Sequence, residues 1–281
     1  MITLLHPHPA ALLETQQTRT MIIADLHIGW EISLAKQGIH VPAQAPKLLQ
    51  KLESLIATYK PDKLLILGDI KHTVATAETS EWHDIPDFFN ELTKHIKHTS
   101  IIRGNHDGNL EPLLPETIEM LPATGIALED TGLFHGHCWP SPTLLKCKTL
   151  VMAHIHPVVT FRDQAGFRIT RQVWINARCN TKQLAKLLLQ KSGTKTKKAT
   201  EETLLRQFNV KPKTSQLFIM PSFNDFLGGK PLNETRKHGH PENETVAGPL
   251  LRSQTVNMND AEAYLLDGTF LGTLNQLKAL K

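Results

Sequence analysis

The chain has 281 residues, 40% of them hydrophobic and 21% charged. That composition suits a folded domain with a real core and excludes a disordered chain. The formal net charge of +4 is mildly basic and is compatible with a polyanionic ligand. No apolar run approaches a membrane span, and the N-terminus lacks a secretory signal core, so a cytoplasmic location without membrane partners is the expectation. Three cysteines, Cys138, Cys147 and Cys179, argue against a disulfide framework.

In chain order, Thr20–Ala24 reads as a strand and Trp30–Gln37 as a short helix. Ala45–Tyr59 has helical periodicity and stops before Pro61. Lys63–Leu67 is the next strand. Trp82–Lys97 is a helix with an acidic start and a basic end, and Ser100–Arg103 is a third strand. This β-α-β-α-β order predicts an α/β layered core. After Glu119 the pattern changes to short strands at Gly125–Leu128, Gly132–Phe134, Thr149–Met152, Val158–Phe161 and Phe167–Trp174, which predicts a second, more antiparallel sheet. Thr181–Gln190 and Glu201–Gln207 read as helices flanking a basic loop, Lys191–Lys198. Leu217–Met220 is a strand, Lys230–Gly248 a polar surface loop, and Ala261–Leu266 with Thr269–Leu271 a closing hairpin around Asp267-Gly268.

Four apolar runs end in polar clusters. They deliver Asp25-Leu26-His27, Gly68-Asp69, Gly104-Asn105-His106-Asp107 and His154-Ile155-His156, with His135-Gly136-His137 between the last two. A buried strand that ends this way carries ligands at its C-terminal end. The inventory of Asp, Asn and His without Cys suits manganese, iron, zinc or nickel. Taken singly, a His or Asp after a strand is more often a turn or cap residue than a ligand.

The order Asp-x-His, Gly-Asp, Gly-Asn-His-Asp, His and His-x-His resembles the calcineurin-like metallophosphoesterases. The stretches Ile22–Glu31 and Pro221–Gly229 resemble the archaeal branch related to SbcD-type nucleases. The resemblance spans nearly the whole chain apart from the region around Lys182–Lys213. It implies one domain over 1–281, a four-layer sandwich of two mixed sheets flanked by helices, with a helical, basic segment at about 181–213 inserted before the last strands. It implies two divalent ions, manganese being the expected pair and iron, zinc or nickel also suited. Asp69 would bridge them; Asp25, His27 and His156 would complete the first site; Asn105, His135 and His154 the second. The implied reaction is attack of metal-bound hydroxide on a phosphodiester of nucleic acid. Phosphomonoester or small-nucleotide hydrolysis is the alternative within the class, and docking on a helicase or repair assembly through Lys191–Lys198 the alternative outside it.

Several residues outside the ligand set carry expectations of their own. His106 resembles the family's catalytic histidine, which would protonate the leaving oxygen. Asp107 would orient the His106 ring, with an ordinary turn cap as the equal alternative. His137 would stand behind the ligands or face substrate, His72 would face substrate or be a polar loop residue, and Lys71 would be solvated, with a phosphate contact as the alternative. Asn224 and Asp225 could contact substrate, against a structural loop as the favoured alternative. Ala153 stands where the family carries Gly before His-x-His; a turn needing positive φ there would shift both histidines. His6, His8, His83, His95, His98, His238 and His240 read as surface residues.

Overall fold

The computed structural model describes residues 1–193, 200–234 and 248–280. The chain forms two compact units: residues 1–121 with 222–227, and residues 122–221 with 228–281.

The first unit is built on a six-stranded sheet in simple sequence order: β1 (Ile2–Leu4), β2 (Ala11–Glu14), β3 (Arg19–Ile23), β4 (Lys63–Ile66), β5 (His98–Ile102) and β6 (Glu119–Leu121). β1, β2 and β3 run antiparallel, and β3 through β6 are parallel. β3 and β4 end in apolar runs, Met21–Ile23 and Leu64–Ile66, that are buried throughout, as strands covered on both faces are. After α1 (Glu31–Ala35), α2 (Ala45–Tyr59) and α3 (Glu81–His95) connect them. These two helices bury Leu48, Leu52, Leu55 and Ile56, and Ile85, Phe88, Phe89 and Leu92. Both sets pack with Met21, Ile23, Leu64, Ile66 and Ile101 in one core. Truncating a fully buried leucine such as Leu52 to alanine would cost about 2–5 kcal/mol. Lys60 ends α2 in a left-handed conformation (φ 46°) directly before Pro61. Register fixes the site: Ile66 pairs with Ile23 on one side and Ile101 on the other, so the segments leaving β3, β4 and β5 emerge at the same end of the sheet.

The second unit carries a mixed sheet. Its main path runs β13 (Lys230–Pro231), β10 (Pro157–Arg162), β11 (Arg168–Cys179), β12 (Gln216–Ile219), β9 (Thr149–Met152), β8 (Thr131–Leu133) and β7 (Ile126–Leu128). β14 (Val256–Leu265) pairs with β11 and with β15 (Phe270–Thr273). β8, β9 and β12 are parallel neighbours, whereas the β10-β11-β12 and β11-β14-β15 pairings are antiparallel. α4 (Thr181–Lys191) and α5 (Thr200–Phe208) contribute Leu184, Ala185, Leu188, Leu189 and Leu204 to this core. α6 (Gly248–Arg252) adds Leu250, and α7 (Leu274–Ala279) adds Leu274 and Leu277 below a Thr273/Gln276 capping box. The helical segment is thus a structural part of the second unit.

Residues 194–199, with most of the basic loop, and residues 235–247, with His238 and His240, lie outside the described residues. Among the described residues, no helix is long and apolar enough to cross a membrane.

Candidate metal centre

In the first unit the segments after β3 and β4 run side by side. Asp25 donates its backbone N–H to Gly68 O, His27 to Asp69 O and Ile28 to Ile70 O (3.1, 2.9 and 2.7 Å). The backbone here is left-handed at Asp25 (φ 56°), His27 (φ 43°) and Asp69 (φ 55°). Non-glycine residues seldom adopt that region, although Asp and His tolerate it better than branched residues. Asp25, His27 and Asp69 are all buried. Asp69 Oδ1 accepts the His106 backbone N–H at 2.9 Å, and its Oδ2 lies 3.5 Å from His27 Nε2. One atom each from His27, Asp69 and His106 falls within 4.8 Å of the others.

Asp107 holds this frame. Its Oδ1 accepts the Ile70 N–H (2.8 Å), and its Oδ2 accepts those of Asp69 (2.8 Å) and Gly104 (2.7 Å). The side chain is wholly buried. Gly104 is required by close approach, since a Cβ there would overlap Asp69 Oδ1 and its backbone nitrogen. The His106 ring is positioned by another group than the expected one: its Nδ1 meets His72 O. A carbonyl can only accept, so that contact keeps a proton on Nδ1 and leaves Nε2 out of the bond. The reason for the difference is local: the buried amides beside Asp107 claim both carboxylate oxygens.

The carbonyl that meets His106 is itself held by residues the sequence did not single out. Glu81, buried in the first turn of α3, accepts the backbone N–H of His72 and of Thr73 (each 2.9 Å), that of Glu78 (2.8 Å), and the Thr73 hydroxyl. An acid at a helix start reads as a dipole partner, so no sequence signal would have found this role. Lys71 is fully buried, not solvated, and its ammonium donates to the carbonyls of Thr73 and Val74. Burial pushes the Lys71 pKa down, opposed in part by Glu81, Asp107 and Asp69. His72 Nε2 pairs with Ser33 Oγ at 2.9 Å, and its ring lies 5.6 Å from His27 and 6.0 Å from His106. The His27 and His106 rings meet edge to face at 4.6 Å.

Asn224 is wholly buried and braces the backbone. Its amide donates to Leu26 O (2.9 Å), between Asp25 and His27, and its carbonyl oxygen accepts the Phe226 N–H (3.0 Å). The neighbouring Phe223 N–H bonds Ala24 O at 2.7 Å. Asp225 is exposed and pairs with Lys51 at 2.8 Å.

The second unit carries the remaining histidines beyond parallel β8 and β9. Phe134 N–H bonds Val151 O, and Ala153 N–H bonds His135 O (3.2 and 2.9 Å). His135 is fully buried and His137 half-buried. The His154 ring lies 5.0 Å from His135 and 6.2 Å from His137, and the His135 and His137 rings are 5.3 Å apart. The left-handed residues are the histidines themselves, His154 (φ 74°) and His156 (φ 43°). Ala153 is not among the positive-φ residues, so glycine is not needed there for backbone freedom. Glycine is needed at Gly229, where a Cβ would overlap His156 O. Cys138 donates to Ala123 O at 3.2 Å and packs as a small side chain.

The first unit thus presents oxygen and imidazole donors beyond the C-terminal ends of parallel strands, Asp25, His27, Asp69 and Asn105, and the second presents imidazoles, His135, His154 and His156. This donor chemistry fits divalent ions of the manganese, iron or zinc type. Burying carboxylates such as Asp25 and Asp69 is costly without a cation.

The structure is similar to the crystal structure of Pseudomonas putida nuclease MPE at 18% sequence identity, covering 95% of this chain and 98% of that one, with a TM-score of 0.47. It is also similar to Yfce, a phosphoesterase from E. coli, at 19% identity over 51% of this chain and 73% of that one, with a TM-score of 0.32. No curated protein matches the sequence. The sequence profile of the calcineurin-like phosphoesterases matches residues 18–219, most of the chain and every candidate ligand, and the chain belongs to that family.

Proposed function

We propose that this metal-dependent phosphoesterase hydrolyses phosphodiester bonds of nucleic acid with two divalent ions, manganese in the working enzyme. Asp25, His27 and His156 would hold one ion, Asn105, His135 and His154 the other, and Asp69 would serve both. The observation that carries the reading is conformational. Five of these seven residues, Asp25, His27, Asp69, His154 and His156, have left-handed backbone. Such strain clusters where function needs it. When bound, the ions neutralise phosphate oxygens and make water a competent nucleophile near neutral pH.

The chain's own residues do the rest. Asp107 and Gly104 fix the Asp69 loop through backbone contacts. His106, its Nδ1 on His72 O, would give a proton from Nε2 to the leaving oxygen. The mildly basic chain suits a polyanion. The unpaired cysteines Cys138, Cys147 and Cys179 suit a cytoplasmic location. The test assays the purified protein with Mn²⁺ against single-stranded DNA, RNA, a cyclic nucleotide, a chromogenic phosphodiester and a phosphomonoester. Cleavage of the polynucleotides and the chromogenic diester, abolished by chelator, is expected. A preference for the monoester would overturn the nucleic-acid reading, and full activity after verified metal removal would overturn the metal mechanism.

A further inference from the structure

We infer that Phe226, stacked on Trp30, is a platform for an unpaired nucleobase of a single-stranded nucleic acid substrate; the inference rests on the nucleic-acid reading above. The two rings are nearly parallel, with centroids 5.8 Å apart and planes at 13°. Phe226 is 55% exposed, which a core residue would not be. The Lys47 ammonium lies over the Phe226 ring at 5.7 Å; the neighbouring Phe223, under the Lys51 ammonium at 4.5 Å, is buried and takes no part in the platform. Flat exposed aromatics beside cations are what binds single strands, because every base has a π face and every linkage a negative charge. Lys47 is exposed and on the first turn of α2, so its charge is available to a phosphate. Lys51 is engaged by Asp225 and Phe223 O and braces the segment.

The platform is tied to the candidate ligands by short covalent and hydrogen-bonded paths. Trp30 follows His27 by one turn and donates its N–H to His27 O at 3.1 Å. Phe226 hangs on Asn224, which grips Leu26 O between Asp25 and His27. A base seated on Phe226 would therefore be registered against the Asp25–His27 loop. A duplex, whose bases are already stacked, gains nothing from the ring.

The test measures binding of fluorescein-labelled oligothymidylate, the matching oligoribouridylate and an abasic oligomer of the same length by anisotropy, using the full chain. Hydrolysis of methyl nitrophenyl phosphate, a diester without a nucleobase, is followed with Mn²⁺ in parallel. Phe226→Ala should weaken binding of the base-bearing strands about 5- to 150-fold, the range for one stacked base. It should weaken the abasic strand far less, and Phe226→Trp should restore binding. Phe270→Ala, an exposed phenylalanine in the second unit, should change nothing. Equal weakening of abasic and base-bearing strands, or none, would overturn the platform. If the wild type hydrolyses the base-free diester while that happens, the phosphoesterase reading stands alone. If no ester is hydrolysed yet Phe226→Ala still weakens only base-bearing strands, the platform stands and the catalytic reading fails.

Discussion

Replacing Asp107 by Asn separates two roles that the motif Gly-Asn-His-Asp leaves open. The side chain accepts three buried backbone N–H groups, those of Asp69, Ile70 and Gly104. Asparagine keeps the shape but has one oxygen. Placed at the Oδ2 position, that oxygen serves Asp69 and Gly104 and turns an NH₂ group toward the Ile70 N–H. One buried donor loses its partner, at about 1–3 kcal/mol, and two charge-assisted bonds become ordinary ones. The sum is about 3 kcal/mol, or a Tm lower by about 6–12 °C for a chain of this size. The assay is thermal and urea denaturation of the metal-free protein, followed by metal content and rate. The metal-free Asp107→Asn protein should be destabilised by that amount, and its metal content should fall with it, because Asp69 loses its anchor. If it unfolds like wild type, binds metal normally and only loses rate, then Asp107 acts on the His106 ring and the backbone role assigned here is refuted.

Asp69→Ala should lose more metal than Asp25→Ala by elemental analysis, because a shared carboxylate serves both ions; equal losses would deny the bridge. Glu81→Gln should lower stability by about 3 kcal/mol, since four donors converge on that carboxylate. It should also slow hydrolysis of substrates with poor leaving groups, measured against nitrophenyl esters, by loosening His72 O behind His106. Burial pushes the Cys179 thiol up to about 12, so below that pH it stays a neutral thiol. Iodoacetamide at pH 8 should therefore leave Cys179 unmodified in the native protein while modifying it in urea; rapid native labelling read by peptide mass would contradict that. His106→Gln should keep its metal and lose about 10²–10⁴-fold in rate, most for alkoxide leaving groups; an emptied site would make His106 a ligand.

The elements legible in the sequence are those whose periodicity is long or whose strands are wholly buried. The helix over Ala45–Tyr59 appears with those bounds, and Thr149–Met152 likewise. The first two strands, Ile2–Leu4 and Ala11–Glu14, were not legible, because three and four residues on either side of the His6–Pro9 cluster carry too little pattern. β11 extends to Cys179, beyond the Phe167–Trp174 reading, because Ala177 and its neighbours pair with β12 and β14 across a bulge that blurs alternation. The closing helix Leu274–Ala279 was missed for its length. At the site, residue types were legible and partners were not. Lys71 looks like any loop lysine until the backbone carbonyls of Thr73 and Val74 close on it. Asn224 reads as a loop residue, and only the structure shows its amide on Leu26 O.

The strain at the ligands has an energetic consequence. A left-handed residue other than glycine costs about 1–2 kcal/mol. The first unit carries three such candidates and the second carries two. The first unit thus stores about 3–6 kcal/mol at Asp25, His27 and Asp69, a large share of the 5–15 kcal/mol by which a domain is usually stable. Something must over-determine those conformations. The backbone bonds from Asp25, His27 and Ile28 to the β4 loop supply part of it, the Asp107 carboxylate another part, and the Asn224 amide on Leu26 O a third. None of these groups supplies a ligand atom in the family pattern, yet each fixes the backbone of a candidate ligand. A loop braced by such bonds would spend less of an ion's binding energy on ordering. The mutations that weaken these anchors should therefore reduce metal affinity as strongly as they reduce stability, whereas mutations in the helical core should reduce stability alone.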